Sequence, residues 1–219
     1  MRKRGILVTF EGQDGVGKTE LLRRVTLNLL QIGYDVKSIE EFSNSPIGDY
    51  IKELLSRDKF IHMKLNIPTS ITETMILISD LYFQDEIEIR PFIKKDYIIL
   101  KERHIDSIFA CQIPKILEDY PDKKTEEIYN WLECLCKNLY TPDLTFLLIV
   151  PRKIQLKRIK TRGETVSIRD IKVFEKRGVI YQNLAKRYKD RIILYKNVDT
   201  LENATKEVTK IILEKYSLF

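Results

Sequence analysis

The stretch GILVTFEGQDGVGKT, residues 5–19, constrains this chain more than any other. An apolar run of strand length, residues 5–10, gives way to a loop with glycine at 12, 15 and 17, and then to Lys18 and Thr19. Glycines let successive backbone N–H groups converge on one point, and the helix that follows adds its positive end. Gly12, Gln13, Asp14, Gly15, Val16, Gly17, Lys18 and Thr19 match the eight-residue phosphate-binding loop. In that pattern the lysine reaches the β- and γ-phosphates and the Thr19 hydroxyl binds Mg²⁺. A tight glycine turn is the plain alternative; position between a strand and a helix favours the phosphate loop. The implied donor is a nucleoside triphosphate.

Beyond the loop, the pattern alternates. Residues 18–31 carry Leu21, Leu22, Val25, Leu29 and Leu30 at helical spacing, and Gly33 ends that helix. A second strand is expected over 34–41, a short helix from Pro46 to about Leu55, and a long helix from Thr69 or Ser70 to about Phe92. That long helix places Ile71, Met75, Ile78 and Tyr82 along one side. Further strands are expected at 97–101, 144–150 and 191–195. Helices are expected at about 107–117, 125–139, 153–160, 169–188 and from Leu201 onward. Continuous apolar strands between helices imply a parallel sheet covered on both faces. With no linker, repeat or low-complexity tract, the 219 residues read as one domain.

Composition narrows the class. Hydrophobic residues make up 43% and charged residues 32%, an ordinary globular balance. No stretch approaches 18 apolar residues, and the N-terminal apolar run is too short for a signal peptide, so no membrane role and a cytoplasmic location are expected. Cys111, Cys134 and Cys136 read as buried thiols, the last two on different helix faces. His62 and His104 are too few and scattered for a zinc site. The net charge of +6 is concentrated: residues 151–191 hold 14 Lys and Arg against 4 Asp and Glu. Such a block suits a solvated face, a nucleic-acid patch or a phosphate-gripping lid. Its lack of an aromatic ladder argues against nucleic acid.

Four ordered motifs then name a family. FEGQDGVGKTE, EEFSNSPIGDYIKEL after strand two, KERHIDSIFACQ after strand three and PDLTFLLIVPRKIQLKRIKTRGE around strand four resemble the thymidylate kinase family of nucleoside monophosphate kinases. The matches run over residues 5–196. The resemblance implies a three-layer P-loop NTPase α/β fold with a five-stranded parallel sheet and a helical lid at about 151–170. It implies Mg-ATP as donor and dTMP as acceptor. Arg103 would clamp the acceptor phosphate, Ser107 would match the motif serine, Asp14 would lie near the acceptor sugar, and Glu102 would support Mg²⁺. Lys52 would add a positive charge beside the acceptor. In the lid, Arg158, Arg162 and Arg169 would stand over the triphosphate, with Arg162 and Arg169 supplying transition-state charge because Val16 is not basic. The resemblance also implies a homodimer packed through the long helix.

The departures fall in the acceptor pocket. The family's base-stacking phenylalanine and edge-reading arginine become Leu77 and Leu81, and a sugar-packing tyrosine becomes Cys111. Asp of the family's Asp-Arg pair becomes Glu102, and Glu-Pro-Gly reads Glu41-Phe42-Ser43. Tyr82, Phe83 and Phe109 stand as candidates to restore stacking. The expected activity is phosphorylation of dTMP. The alternatives are a kinase acting on another nucleotide or nucleoside, and a weakly active nucleotide-binding paralogue with a regulatory role.

Overall fold

Side chains along the first strand, β1 (Ile6–Glu11), alternate between two buried environments. Ile6, Val8 and Phe10 face an entirely apolar layer. Leu7, Thr9 and Glu11 face the other way. The computed structural model describes residues 4–58 and 69–218, so His62 lies outside the described residues. Around β1 stand β2 (Val36–Ile39), β3 (Ile98–Glu102), β4 (Leu144–Ile149) and β5 (Ile192–Lys196), all parallel in the order β2-β3-β1-β4-β5. Val8 pairs with both Leu100 and Leu144, which puts β1 at the centre.

The apolar layer is closed by α1 (Lys18–Gln31) and α9 (Leu201–Tyr216), which set Leu21, Val25 and Leu29 with Val208 and Ile212 over the strands. Each such side chain contributes about 1.5–3 kcal/mol on burial. On the opposite face lie α3 (Ser70–Gln84), α5 (Ile105–Asp119), α6 (Thr125–Cys136) and α8 (Ile168–Arg187). There the sheet offers a polar row instead: Thr9, Glu11, Lys101 and Thr145 are all fully buried. Burying such groups is tolerable only when they are paired, and they are. The Thr9 and Thr145 hydroxyls lie 2.8 Å apart, and Lys101 Nζ donates to Gln84 Oε1 at 2.6 Å and to the Glu40 carbonyl at 3.0 Å. Arg191 grips buried Asp106 with two 2.7 Å bonds.

Local chemistry places the helix starts. Pro46 opens α2 (Pro46–Arg57), where the Ser45 hydroxyl accepts from Gly48 N–H at 3.2 Å. Ser167 and Asp170 form a reciprocal capping box on α8. Because α1 and α5 leave their strands toward opposite faces, a crevice opens at the carboxyl ends of β1 and β3, the usual ligand position in such sheets.

Two expectations are corrected. The long helix is not one regular element: α3 passes into a π-helical turn at Asp85–Ile89 and then α4 (Arg90–Ile93). Pro91 has no N–H to continue the ladder and its ring crowds the preceding turn, while the Asp85 carboxylate holds the Arg90 side chain and Tyr140 N–H. Along the side that carries Ile71, Met75, Ile78 and Tyr82, Ile78 is buried and Met75 is 42% exposed; the buried face of α3 carries Ile78 and Leu81 together with Ser70, Glu73, Thr74, Asp80 and Gln84. Of the cysteines only Cys136 is buried, Cys111 is half-buried and Cys134 is exposed; none is in a disulfide. Cys134 and Cys136 lie two apart, so the helix turns one to the core and the other to solvent.

Candidate active site

The loop from Gly12 to Thr19 separates its donors from its acceptors. Gln155 Nε2 donates to the Asp14 carbonyl at 2.9 Å, and Asn197 Nδ2 and Arg158 Nη1 donate to the Val16 carbonyl at 2.7 and 3.0 Å. Gln155 and Arg158 belong to α7 (Arg152–Thr161) and Asn197 follows β5. Gln13 Nε2 donates in turn to the Phe174 carbonyl of α8 at 2.8 Å. The N–H groups of Gly15, Val16, Gly17 and Lys18 meet no acceptor among the described residues. Carbonyls tied outward and amides left inward make an anion cradle. Glycine is required for this geometry at two points. Gly15 (φ +78°) and Gly17 (φ +94°) are left-handed, and a Cβ would lie 2.8 Å from Ile159 Cγ1 and 2.7 Å from Asn197 Nδ2 respectively.

Lys18 begins α1 and is 5% exposed. Its Nζ donates to the Gln13 carbonyl at 3.2 Å and lies 3.8 Å from Glu102 Oε1. Burial pushes its ammonium below the usual lysine value and Arg103 pushes the same way, against Asp14, Glu102 and Glu41. Thr19 is exposed at the next position. No cluster of three or more His, Cys, Asp or Glu suited to a metal occurs among the described residues. Thr19 and Glu102 offer oxygen donors beside an amide cradle, a set that fits Mg²⁺, which takes one or two protein ligands plus phosphate and water.

Arg103 joins the loop to the crevice. It adopts a left-handed conformation (φ +54°) immediately after β3 and is 7% exposed. That conformation costs roughly 1–3 kcal/mol in a non-glycine residue. Its side chain over-determines it: Nη2 donates to Asp14 Oδ1 at 2.6 Å, and Nη1 donates to Ser107 Oγ and Tyr181 OH at 3.2 Å each. Nε lies 3.1 Å from Glu41 Oε1 as an ion pair, outside hydrogen-bond alignment. Burial alone would raise Asp14, but Arg103, Lys18 and Arg177 outweigh it and hold the carboxyl at about 2. Beneath them, buried Glu11 accepts from His104 N–H at 2.7 Å and from the Ser107 hydroxyl. Burial, with Asp106, raises Glu11 to about 7. Burial also lowers His104 to about 3, leaving it neutral.

In front of Arg103 is a cavity of about 160 Å³. Asp14, Arg103 and Ser107 form its polar end, and Phe42, Leu55, Leu77, Leu81 and Ile108 its apolar part. Gln112 and Cys111 complete the α5 side. The Gln112 Oε1 accepts from Thr74 at 3.1 Å, which leaves its Nε2 as a donor for the cavity. A larger space of about 530 Å³ borders Gly12 and Gln13 beneath Arg152 and Phe174, but neither Lys18, Asp14 nor Arg103 lines it.

The family model for thymidylate kinase matches residues 10–208, spanning both the loop and this cavity. The chain belongs to the thymidylate kinase family. It is 30% identical over 214 residues to a thymidylate kinase from an Exiguobacterium strain, covering 96% of this chain and 95% of that one. It is also 30% identical over 193 residues to one from a Sulfurihydrogenibium strain, covering 87% and 88%. The crystal structure of thymidylate kinase from Ehrlichia chaffeensis superposes with a TM-score of 0.68 at 20% identity, over 96% of this chain and 99% of that one, a likeness of fold.

Within this thymidylate kinase family member, Asp14, Leu77, Leu81, Arg103, Ser107 and Cys111 share one cavity, Lys18 pairs with Glu102 next to Arg103, and Thr19 follows Lys18 at the exposed start of α1. Other expected residues are elsewhere. Lys52 pairs with Asn44 and Asp49 at the surface. Arg158 holds the Val16 carbonyl of the loop, and Arg162, one turn beyond it at the end of α7, is exposed. Arg169 lines a separate cavity behind Cys111. Of the proposed stacking residues, Phe109 packs on Tyr129 in the core, Tyr82 donates to the Leu135 carbonyl and Phe83 is 37% exposed; none lines the acceptor cavity. Among the described residues the Phe, Tyr or Trp side chain that does is Phe42, where the family's Glu-Pro-Gly departs. Arg177, Tyr181, Glu11 and Gln112 were also missed. The four-residue spacing of Arg177 and Tyr181 was the available signal, since it puts both on one helix face.

Proposed function

We propose that this protein transfers the γ-phosphoryl group of Mg-ATP to dTMP, forming ADP and dTDP. The observation that carries the reading is the Arg103–Asp14 bond of 2.6 Å, which couples the triphosphate loop to the phosphate end of the acceptor cavity. The amides of residues 15–18 and Lys18 bind donor phosphates, and Thr19 with Glu102 holds Mg²⁺. When bound, the ion neutralises charge on the transferring group. Arg103 and Ser107 hold the acceptor phosphate in line, and Phe42, Leu77 and Leu81 hold the base by shape, with the Gln112 amide donating to a base carbonyl. Asp14, held ionised, fixes the Arg103 fork by accepting from it. No general base is required, because the acceptor is already an anion; positioning and charge supply the catalysis. Arg177, which faces Asp14 from the middle of α8, stands beside the lid residues Arg162 and Arg169 as a further candidate cation for the transferring group.

The chain acts as one kinase domain in the cytoplasm, with α7 and the start of α8 as its lid. It forms a homodimer through α3 and the π-helical turn after it, where Met75, Phe83 and Ile87 are exposed alongside Ile47 and Tyr50 of α2; light scattering at twice the chain mass is the expected result. Coupled ADP detection with dTMP, dUMP, dCMP and dGMP tests the activity. Preference for dTMP is expected, and no turnover of any of the four would replace the kinase reading with that of a nucleotide-binding paralogue.

A further inference from the structure

Glu11 takes no part in the phosphoryl transfer described above, yet it lies beneath a residue that does. It ends β1 and is fully buried. Its Oε1 accepts from His104 N–H at 2.7 Å. Its Oε2 accepts from the Ser107 hydroxyl and, at 3.3 Å, from Tyr181 OH. Ser107 itself lines the polar end of the acceptor cavity beside Arg103.

The donors do not suffice for both Glu11 and a phosphate. A carboxylate only accepts, and a serine hydroxyl has one proton to give. With Glu11 ionised, the Ser107 proton goes to Oε2, while Ser107 Oγ accepts from Arg103 Nη1 at 3.2 Å. Ser107 then has only a lone pair to offer a phosphate. With a proton on Oε2 the direction reverses. Glu11 donates to Ser107 Oγ, and the Ser107 hydroxyl proton is released for the cavity. Two acceptor positions on Oγ let the Arg103 bond persist throughout. The His104 N–H already occupies Oε1, which leaves Oε2 as the oxygen that takes the proton.

Building on the kinase reading, we propose that Glu11 is a positioning residue that holds a proton while the acceptor nucleotide is bound, and so turns the Ser107 hydroxyl toward the acceptor phosphate. One proton passes from solvent to Glu11 on binding and returns on release. No covalent bond other than O–H is made or broken.

The surroundings set the pH range. Near Glu11 stand Lys101 of β3 and Arg103 after it, His104 and Asp106 at the start of α5, Tyr181 of α8 and Arg191 before β5. Burial and Asp106 raise the Glu11 carboxyl to about 7, against Ser107, Arg103 and the His104 N–H. A phosphate dianion arriving at Arg103 raises it further, since like charge disfavours the ionised form. Burial lowers Lys101 to about 8 and His104 to about 3, so Lys101 is the neighbour that could imitate the effect.

Titration calorimetry of the full chain with dTMP at pH 8, in two buffers of different ionisation enthalpy, counts the protons taken up. The nucleotide phosphate, whose second pKa is about 6, is already a dianion there and contributes none. Uptake of about one proton is expected, with dTMP affinity falling nearly tenfold from pH 7.5 to 8.5. In Glu11→Gln the carboxamide donates to Ser107 at every pH, so the uptake should vanish and the pH dependence flatten. Ser107→Ala keeps Glu11 but removes the hydroxyl it turns, and the same pH step should then change affinity less than about threefold. Binding without uptake in the wild type would overturn the proposal. Uptake that survives in Glu11→Gln would assign the proton to Lys101 and overturn it too. A tenfold step that persists in Ser107→Ala would leave Glu11 acting by charge alone, without a positioning role. Turnover of dTMP in the coupled assay decides the kinase reading separately.

Discussion

The two halves of the site are built from different materials. The donor half is backbone: amides of consecutive residues, held by glycine geometry, with Gln155, Arg158 and Asn197 tying off the carbonyls. The acceptor half is side chains from the β2–α2 connection, α2, α3, α5 and α8 around one small cavity. A backbone cradle cannot change its sequence without losing its shape. A pocket of side chains tolerates exchange of its residues while the scaffold stays: Phe42, Leu77 and Leu81 line it at positions where the family's motifs differ. The same site therefore holds a rigid half and a plastic one.

The sharpest way to break this contrast is a change of one methyl group or one charge in the rigid half. Lys18→Ala should lower kcat by roughly 10²–10³ with the fold intact, the scale of removing one transition-state charge donor. Gly15→Ala should do comparable damage by strain alone, since its Cβ would meet Gln155 O at 2.9 Å. Steady-state kinetics alongside circular dichroism checks both, and an active, folded Gly15→Ala enzyme would remove the distinction.

Arg103 belongs to both halves, so its loss should be asymmetric. Arg103→Ala is expected to raise KM for dTMP by roughly 30- to 1,000-fold, from the loss of charge-assisted bonds to phosphate, with a far smaller change for ATP. Equal changes for both substrates would move Arg103 out of the acceptor half.

Glu11, beneath both halves, gives the contrast a pH signature. Its ordinary value of 4.5 is raised to about 7 by burial. Below pH 4.5 folded and unfolded chains both hold this proton, and its stabilising effect is fully present. As pH rises from 4.5 to about 7 the unfolded chain ionises first, so stability falls by about 3 kcal/mol in total. Glu11→Gln should erase that slope, read as the denaturation midpoint against pH. An unchanged slope would place the titration elsewhere.

The smallest effects belong to the plastic half. Phe42→Ala and Gln112→Leu should each raise KM for dTMP by roughly tenfold, about 1.4 kcal/mol for a lost contact or hydrogen bond, with kcat nearly unchanged. Because leucines stand where the family reads the base edge, dTMP and dUMP should differ by less than about a hundredfold in kcat/KM, the limit for one methyl group in an apolar pocket. Selectivity well beyond that would mean that a polar group other than Gln112 reads the base.

What was legible in the sequence divides along the same line. Local chemistry announces itself: the glycine spacing, Lys18 and Thr19, the apolar strands and the helix repeats depend on neighbours a few residues away, and α1 spans Lys18–Gln31 as its pattern required. The motif order sufficed to name the family. The tertiary structure alone decided which buried partner each polar residue finds. The apolar strand pattern says nothing of what the polar side chains of Thr9, Glu11, Lys101 and Thr145 meet, yet each is paired within the layer beneath the helices. The same holds for the arginines of the basic block. The resemblance put Arg158, Arg162 and Arg169 together over the triphosphate, whereas packing turned Arg158 to the loop, Arg177 to Asp14 and Arg162 to solvent. A helix repeat says which residues share a face; only the neighbouring element says what that face meets.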